Sequence, residues 1–267
     1  MNIIVCVKQV PDPETPISQF KVDEAAKKVL PVQGIPPVIS QFDALAVEAA
    51  LRVRDTLGEA KITVISLGPD SARDVIKHSL AMGADEGVLL SDPAFENGDS
   101  YTTALILTAA IKKLSEYDLI LCGRQATDWD FGLVGPGIAE LLGIPSITIT
   151  RDVRVENGRV VAERVLLDGF EVVEAALPSL VTISNELGEP RYPQLRQIMT
   201  AARKQVPTWT AADLGLEPSQ MGAAGAHLVL ERLYVPQVES QCEFIEGETP
   251  EEMAERLALR LREAKLI

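Results

Sequence analysis

Apolar and polar positions along the first 150 residues fall into two kinds of block: short unbroken apolar runs, and longer stretches with helical spacing. Residues 2–7 form an apolar run of the kind carried by a strand buried on both faces. Residues 42–57 repeat apolar positions every three to four residues and stop at Gly58, which predicts a helix. The next strand covers 61–67 and ends at Gly68-Pro69. Asp70 or Ser71 then caps a helix that runs to Met82 and stops at Gly83. A strand over 87–90, a helix over 100–114, a strand over 119–122 and a fifth strand over 145–150 complete the series. Strands alternating with helices of this length predict an α/β fold, a doubly wound and mostly parallel sheet with helices on both faces.

After Thr150 the period drops towards two. Stretches 152–156, 159–167 and 170–176 are separated by Asn157-Gly158 and Asp168-Gly169, dipeptides that favour tight hairpins. They predict an antiparallel hairpin edge on the parallel sheet. Residues 178–184 read as one more buried strand. From 185 to about 248 the apolar pattern weakens and prolines recur, which predicts an extended segment ordered by a partner subunit. Thr249, Pro250 and Glu252 then carry a capping-box signal, followed by the apolar stripe Met253, Leu257 and Leu261. The expected division is an α/β domain over 1–184 and, over 185–267, a loop, an extended excursion and a C-terminal helix.

Ligands of open α/β sheets gather at the carboxyl ends of the strands, so the loops after residues 7, 67 and 122 come together. The last is the most informative. An apolar run ends at Gly123, a polar loop follows, and Gly132, Gly135 and Gly137 precede an amphipathic run that closes on Gly143. Strand, glycine-rich loop and helix place backbone N–H groups and a helix N-terminus against phosphate. The spacing is neither GxGxxG nor GxxxxGK[ST], and an ordinary turn before a helix would share it. Asp128 and Asp130 can accept from ribose hydroxyls or cap the helix, and Pro136 suits a first helical turn.

Net charge is −14 and the pI about 4.7, which excludes a surface that tracks nucleic-acid phosphates. Cys6, Cys122 and Cys242 form no CxxC pair, and the first two lie in apolar runs where cysteine acts as a small buried hydrophobe. His78 and His227 stand alone, without metal-ligand spacing. No apolar stretch approaches the roughly 20 residues of a membrane span. No basic leader precedes the first strand, so membrane insertion is not expected and a cytoplasmic location is.

With these residues in view, the chain resembles the beta subunit of electron transfer flavoprotein over nearly its whole length. The pieces that carry the likeness are IIVCVKQVPD, SQFDALAVEAAL, VISLGP, LAMGADEGVLL, LCGRQATDWDFGLVGP with IAELLGIP, and EPRYPQLRQIM, in that order. The resemblance implies a heterodimer with an alpha subunit that holds most of one FAD at the subunit interface. It implies an electron carrier between acyl-CoA dehydrogenase-type donors, as in fatty acid oxidation, and a membrane quinone oxidoreductase or other acceptor. The flavin then does the chemistry, and no residue here acts as acid, base or nucleophile. It further implies a nucleotide inside this subunit, AMP in the ordinary type and a second FAD in the electron-bifurcating type.

By the same resemblance the pocket is made from Cys6, from Ser40, Gln41, Phe42 and Asp43, and from Leu67. Its main wall is Ala126, Thr127, Asp128, Trp129, Asp130, Phe131, Gly132, Leu133, Val134, Gly135, Pro136 and Gly137. A docking loop for dehydrogenases corresponds to Glu189, Pro190, Arg191, Tyr192 and the anchor Leu195, with Ile198 and Met199 on the helix that follows. Ser40-Gln41 stands where many ordinary relatives have Asn-Pro, and Val134 to Gly137 where they have Thr-Gly-Gln-Met. Pro13 replaces a common aromatic, and a lysine-rich run is thinned to Arg203 and Lys204. Bifurcating relatives share Gly135-Pro136 and carry hydroxyls matching Ser100 and Thr103, residues that would otherwise serve as a helix cap and a solvated face. AMP and a second FAD both remain open at this point. A nucleotide-binding regulator similar to universal stress proteins would explain the glycine loop, but not the hairpins or EPRY. An adenylating enzyme would need an SGGxDS-like loop, and Ser66-Leu67-Gly68-Pro69 is not one.

Overall fold

Ile3, Ile4 and Val5 of β1 (Asn2–Cys6) are at most 1% exposed, because strands flank them on both sides and helices cover both faces. The computed structural model describes residues 1–236 and 242–267. After β1 come two small antiparallel pairs: β2 (Gln9–Val10) with β5 (Val38–Ile39), and β3 (Val22–Asp23) with β4 (Lys28–Val29). Then α1 (Gln41–Leu57), β6 (Lys61–Leu67), α2 (Arg73–Met82), β7 (Glu86–Leu90), α3 (Ser100–Leu114), β8 (Leu119–Gly123) and α4 (Val134–Leu142) alternate. The hairpin strands β9 (Ser146–Glu156), β10 (Arg159–Leu166) and β11 (Gly169–Ala176) lead to β12 (Ser179–Ile183). Beyond them lie α5 (Leu195–Arg203), β13 (Thr208–Trp209), α6 (Ala211–Leu214), α7 (Gly222–Gly225) and α8 (Pro250–Glu263).

The main sheet has nine strands in the order β11-β10-β9-β12-β8-β1-β6-β7-β13. From β9 to β13 it is parallel, and the β9–β10–β11 edge is antiparallel. Alternating side chains feed two cores. Ile3, Val5 and Ile62 pack with Leu45, Leu51 and Ile76 of α1 and α2. Ile4, Ile65 and Ile120 pack with Ile106, Ile111 and Ile138 of α3 and α4. Gly58 ends α1 in the left-handed region, at φ 81°, where glycine carries no Cβ penalty.

The expected α/β sheet with its antiparallel edge is present, and the departures are local. Residues 145–150 and 152–156 are one strand rather than two. Arg151 keeps it in the sheet by donating from Nε to Glu163 of β10 at 2.9 Å. The first hairpin turns at Asn157 and Gly158, both with positive φ. The second turns at Leu167-Asp168, one residue earlier than expected, because Gly169 pairs with Leu166. Asp70 and Ser71 begin a short 3-10 turn, with no side-chain cap on α2.

Past residue 184 the chain stays with the first compact unit, Met1–Leu233. Lys77 Nζ donates to the carbonyls of Ala201, Ala202 and Lys204, which holds the end of α5 on α2. Leu89 N donates to Pro207 O at 2.9 Å as β13 joins the sheet. This stretch needs no core of its own because Ala201, Val206 and Met221 are buried in those of the sheet. Part of the expected excursion, 237–241, lies outside the described residues. In the second unit, Tyr234–Ile267, Thr249 caps α8 by accepting from Glu252 N at 3.2 Å. The Glu252 carboxylate accepts from Glu248 N at 2.9 Å, one residue before the position a capping box would use. No described helix is long and apolar enough to cross a membrane.

Candidate functional site

Where β1, β6 and β8 end, their loops surround a cavity of about 750 Å³. Its floor carries Cys6 and Cys122, which stand side by side in the β1–β8 register, with Leu67 and Leu107. Both thiols are free and buried, and Cys6 beside it together with burial pushes the Cys122 thiol up. One wall is the glycine loop: Ala126, Trp129, Phe131, Gly132, Leu133, Val134 and Gly135. The start of α3, with Ser100 and Thr103, also lines the cavity. Asp43 of α1, itself buried, is part of the lining.

Ser40, Gln41, Phe42, Thr127, Asp128, Asp130, Pro136 and Gly137 do not line the cavity. Several of them support residues that do. Asp128 pairs with Lys8 Nζ at 2.6 Å, and Asp130 accepts from Gln125 Nε2 at 2.9 Å, so neither caps α4. Phe42 lies under the Arg124 guanidinium, 5.6 Å from its ring centre. Gly137 lets α4 approach α3, since a Cβ there would sit 3.0 Å from Ala104 Cβ. Asp99 rather than Ser100 caps α3, accepting from Thr102 N at 2.9 Å, which leaves the Ser100 hydroxyl free of that duty.

The glycine loop is built to leave donors open. Gly132 turns with φ +64°. Among the described residues, none accepts from the backbone N–H groups of Phe131, Gly132, Leu133, Val134 or Gly135. All five residues lie on the cavity wall, and four of them lead into or begin α4. Unpaired N–H groups at a helix N-terminus are an anion site. Gly135 also has a packing role. A Cβ there would lie 2.8 Å from Thr182 Cγ2, so this glycine seats α4 on β12.

Asp43 joins the two strand ends. Its carboxylate accepts from Lys8 N at 2.9 Å and from Gly123 N at 3.0 Å. Burial pushes its pKa up to about 7, against those two N–H groups and the Lys8 charge. Lys8, Lys27 and Arg124 bring positive charge to the cavity. Lys8 is offset by Asp128, whereas Lys27 and Arg124 have no carboxylate partner among the described residues.

Two parts of the site carry no sequence signal. Ala26 and Lys27 arrive from the β3–β4 turn, and Ala223, Ala226, Leu228, Val229 and Leu230 arrive from a strap after β13. The strap is held by Asp99, which accepts from His227 N at 2.7 Å and Leu228 N at 3.0 Å. Lys27 Nζ donates to Leu230 O at 2.6 Å, and His227 stacks on Tyr101 with ring centres 4.3 Å apart. Lys8, Gly123 and Arg124 were within reach of sequence reasoning, since each sits at the carboxyl end of a strand run.

Away from the cavity, Tyr192 is 93% and Leu195 74% exposed, and Ile198 and Met199 are exposed beside them. Glu189 and Pro190 lead into this surface, while Arg191 turns inward onto Glu48. No group of three or more His, Cys, Asp or Glu side chains that could hold a metal ion occurs among the described residues.

An electron transfer flavoprotein domain matches residues 29–214. The chain is 41% identical over 242 residues to electron transfer flavoprotein subunit beta of Megasphaera elsdenii, covering 88% of each chain. It is 37% identical over 267 residues to the caffeyl-CoA reductase-Etf complex subunit CarD of Acetobacterium woodii, covering 100% of each. It is also 37% identical over 244 residues to protein FixA of Bradyrhizobium diazoefficiens, covering 88% of this chain and 83% of that one. With the domain spanning most of the α/β body and relatives aligned nearly end to end, the chain belongs to the electron transfer flavoprotein family, on its beta-subunit branch.

Proposed function

We propose that this beta subunit pairs with an electron transfer flavoprotein alpha subunit and holds a second FAD, rather than AMP, in its own cavity. The observation that carries this reading is the row of open N–H groups from Phe131 to Gly135 on the wall of a 750 Å³ cavity. The row suits a phosphate. The volume lies high in the roughly 300–1,000 Å³ range of small-molecule pockets, which favours a dinucleotide over a mononucleotide. Ser100 and Thr103, which also line the cavity, offer hydroxyls to a ribityl chain or a second phosphate. Lys27 and Arg124 supply charge that a diphosphate would use. Bound FAD supplies one- and two-electron redox chemistry, while the chain positions it and excludes water. The universal-stress-protein alternative is not favoured by these relatives.

Trp129 gives a direct test, because it lines the cavity and Trp209 is the only other tryptophan. FAD added to nucleotide-depleted heterodimer should quench Trp129 fluorescence, and the Trp129→Phe variant should lack that component. AMP should compete poorly. Tighter binding of AMP than of FAD would overturn the dinucleotide assignment.

The partners follow the same reading: an acyl-CoA dehydrogenase-type protein on one side and a quinone oxidoreductase or other acceptor on the other. CarD is named for a caffeyl-CoA reductase complex, which is consistent with a CoA-thioester enzyme as partner. Leu195 is the proposed anchor, and Met253, Leu257 and Leu261 of α8 the stripe offered to the alpha subunit. Burying a leucine fully is worth about 1.5–3 kcal/mol. Leu195→Ala should therefore slow exchange with the dehydrogenase about tenfold at subsaturating partner, with flavin content unchanged. Wild-type exchange rates would remove the docking role.

A further inference from the structure

Arg191 sits among exposed neighbours, yet its side chain is folded back on α1. Nε donates to Glu48 Oε2 at 2.8 Å and Nη2 to Oε1 at 3.2 Å, and the Arg191 backbone N–H reaches Oε2 at 3.1 Å. Nη2 also donates to Asp55 at 2.8 Å. Glu48 lies within α1, 4% exposed, and accepts from Arg52 Nε at 2.9 Å. Arg52 in turn donates to the carbonyls of Leu187, at 3.0 Å, and Glu189, at 3.3 Å. Burial pushes the Glu48 carboxyl up, but Arg191 and Arg52 together hold it below the ordinary range. One buried carboxylate thus ties down the loop before Leu195 at Arg191 directly and at Leu187 and Glu189 through Arg52, while Tyr192 and Leu195 project outward.

We propose that Glu48 is a positioning residue for electron exchange: through Arg191 and Arg52 it sets the shape of the 187–194 loop before a partner arrives, so that Leu195 is presented already placed. This rests on the docking reading of Leu195. A loop ordered in advance does not pay its ordering cost at encounter, so affinity gains without new contacts. No Glu48 contact reaches the cavity, so the effect belongs to encounter with the partner and not to the flavin.

The test uses the FAD-loaded heterodimer and an acyl-CoA dehydrogenase of the same organism, reduced by its acyl-CoA. Glu48→Gln should raise the KM for the dehydrogenase about tenfold, with kcat and flavin content held within about twofold. Amide exchange over residues 189–194 should speed up about tenfold in the free heterodimer. Arg191→Lys keeps the charge but loses the fork, and should fall between wild type and Arg191→Ala. An unchanged KM in Glu48→Gln, where Leu195→Ala raises it, would overturn the positioning role. So would a lowered melting temperature with KM and loop exchange intact, since that marks a merely structural pair. If Leu195→Ala also leaves KM unchanged, the docking reading fails separately, and unaltered loop exchange would then sink the positioning claim as well.

Discussion

Gly123→Ala should lower the thermal midpoint by about 5–10 °C, on a scale of roughly 2–4 °C per kcal/mol for a chain of this size. The added Cβ would lie 2.5 Å from Asp43 Oδ1, 2.7 Å from Phe42 Cβ and 2.8 Å from the Phe42 carbonyl carbon. Two of these three belong to a residue at the start of α1, so the helix itself must shift. Overpacking of this kind costs about 1–3 kcal/mol. Loss of the Gly123–Asp43 hydrogen bond adds about 0.5–1.5 kcal/mol. The pH dependence offers a second readout. Asp43 has a folded pKa of about 7 against an ordinary 3.8, so the folded chain binds this proton more tightly than the unfolded one. Its contribution is complete below the ordinary value and is lost as pH rises through the folded one. Wild type should therefore lose stability between about pH 4 and 7 from this group, and an alanine variant that admits water to Asp43 should show a flatter slope. A wild-type midpoint and slope in the variant would show that α1 yields at no cost.

Gly135→Val is expected to strip the nucleotide from the cavity and to cost about 1–3 kcal/mol of stability. Its first added atom would meet Thr182 Cγ2 at 2.8 Å, before the branch is counted. Thr182 cannot turn aside freely, because it is 2% exposed and its Oγ1 accepts from Ile149 N at 2.9 Å. The strain therefore falls on α4, at whose start the open N–H row ends. Gly169→Ala is the matching control: its Cβ meets nothing within 4 Å. Bound nucleotide is read by acid release from purified heterodimer, and full retention in Gly135→Val would detach the helix seating from binding.

Much of the frame was legible because its signals are local. Lys61–Leu67 and Ser100–Leu114 begin and end where the apolar runs do, and Gly58, Gly83 and Gly143 follow the helices they stop. The two-residue strands β2 to β5 and β13 escaped, since so short a pair has no period to read. β9 reads as two strands because the period changes after Thr150, and the cross-strand partner Glu163 of Arg151 is distant in sequence. At the cavity, the strand ends could be read from topology and Ser100 and Thr103 from family likeness. Lys27 and the strap Ala223–Leu230 could not, because they reach the cavity by contacts across about a hundred residues or more, such as Lys27 to Leu230 and Asp99 to His227. The pairing of Asp128 with Lys8 and of Asp130 with Gln125 is likewise not legible in the sequence. The seating of α4 by Gly135 is not legible, since spacing alone does not say which side of a glycine is crowded.

The central claim is that this subunit carries a dinucleotide of its own beside the flavin shared with its partner. Acid release of all nucleotides from the purified heterodimer, with FAD and AMP each counted against protein, tests it most directly. Two FAD and no AMP per heterodimer is the expected result; one FAD with one AMP would contradict it.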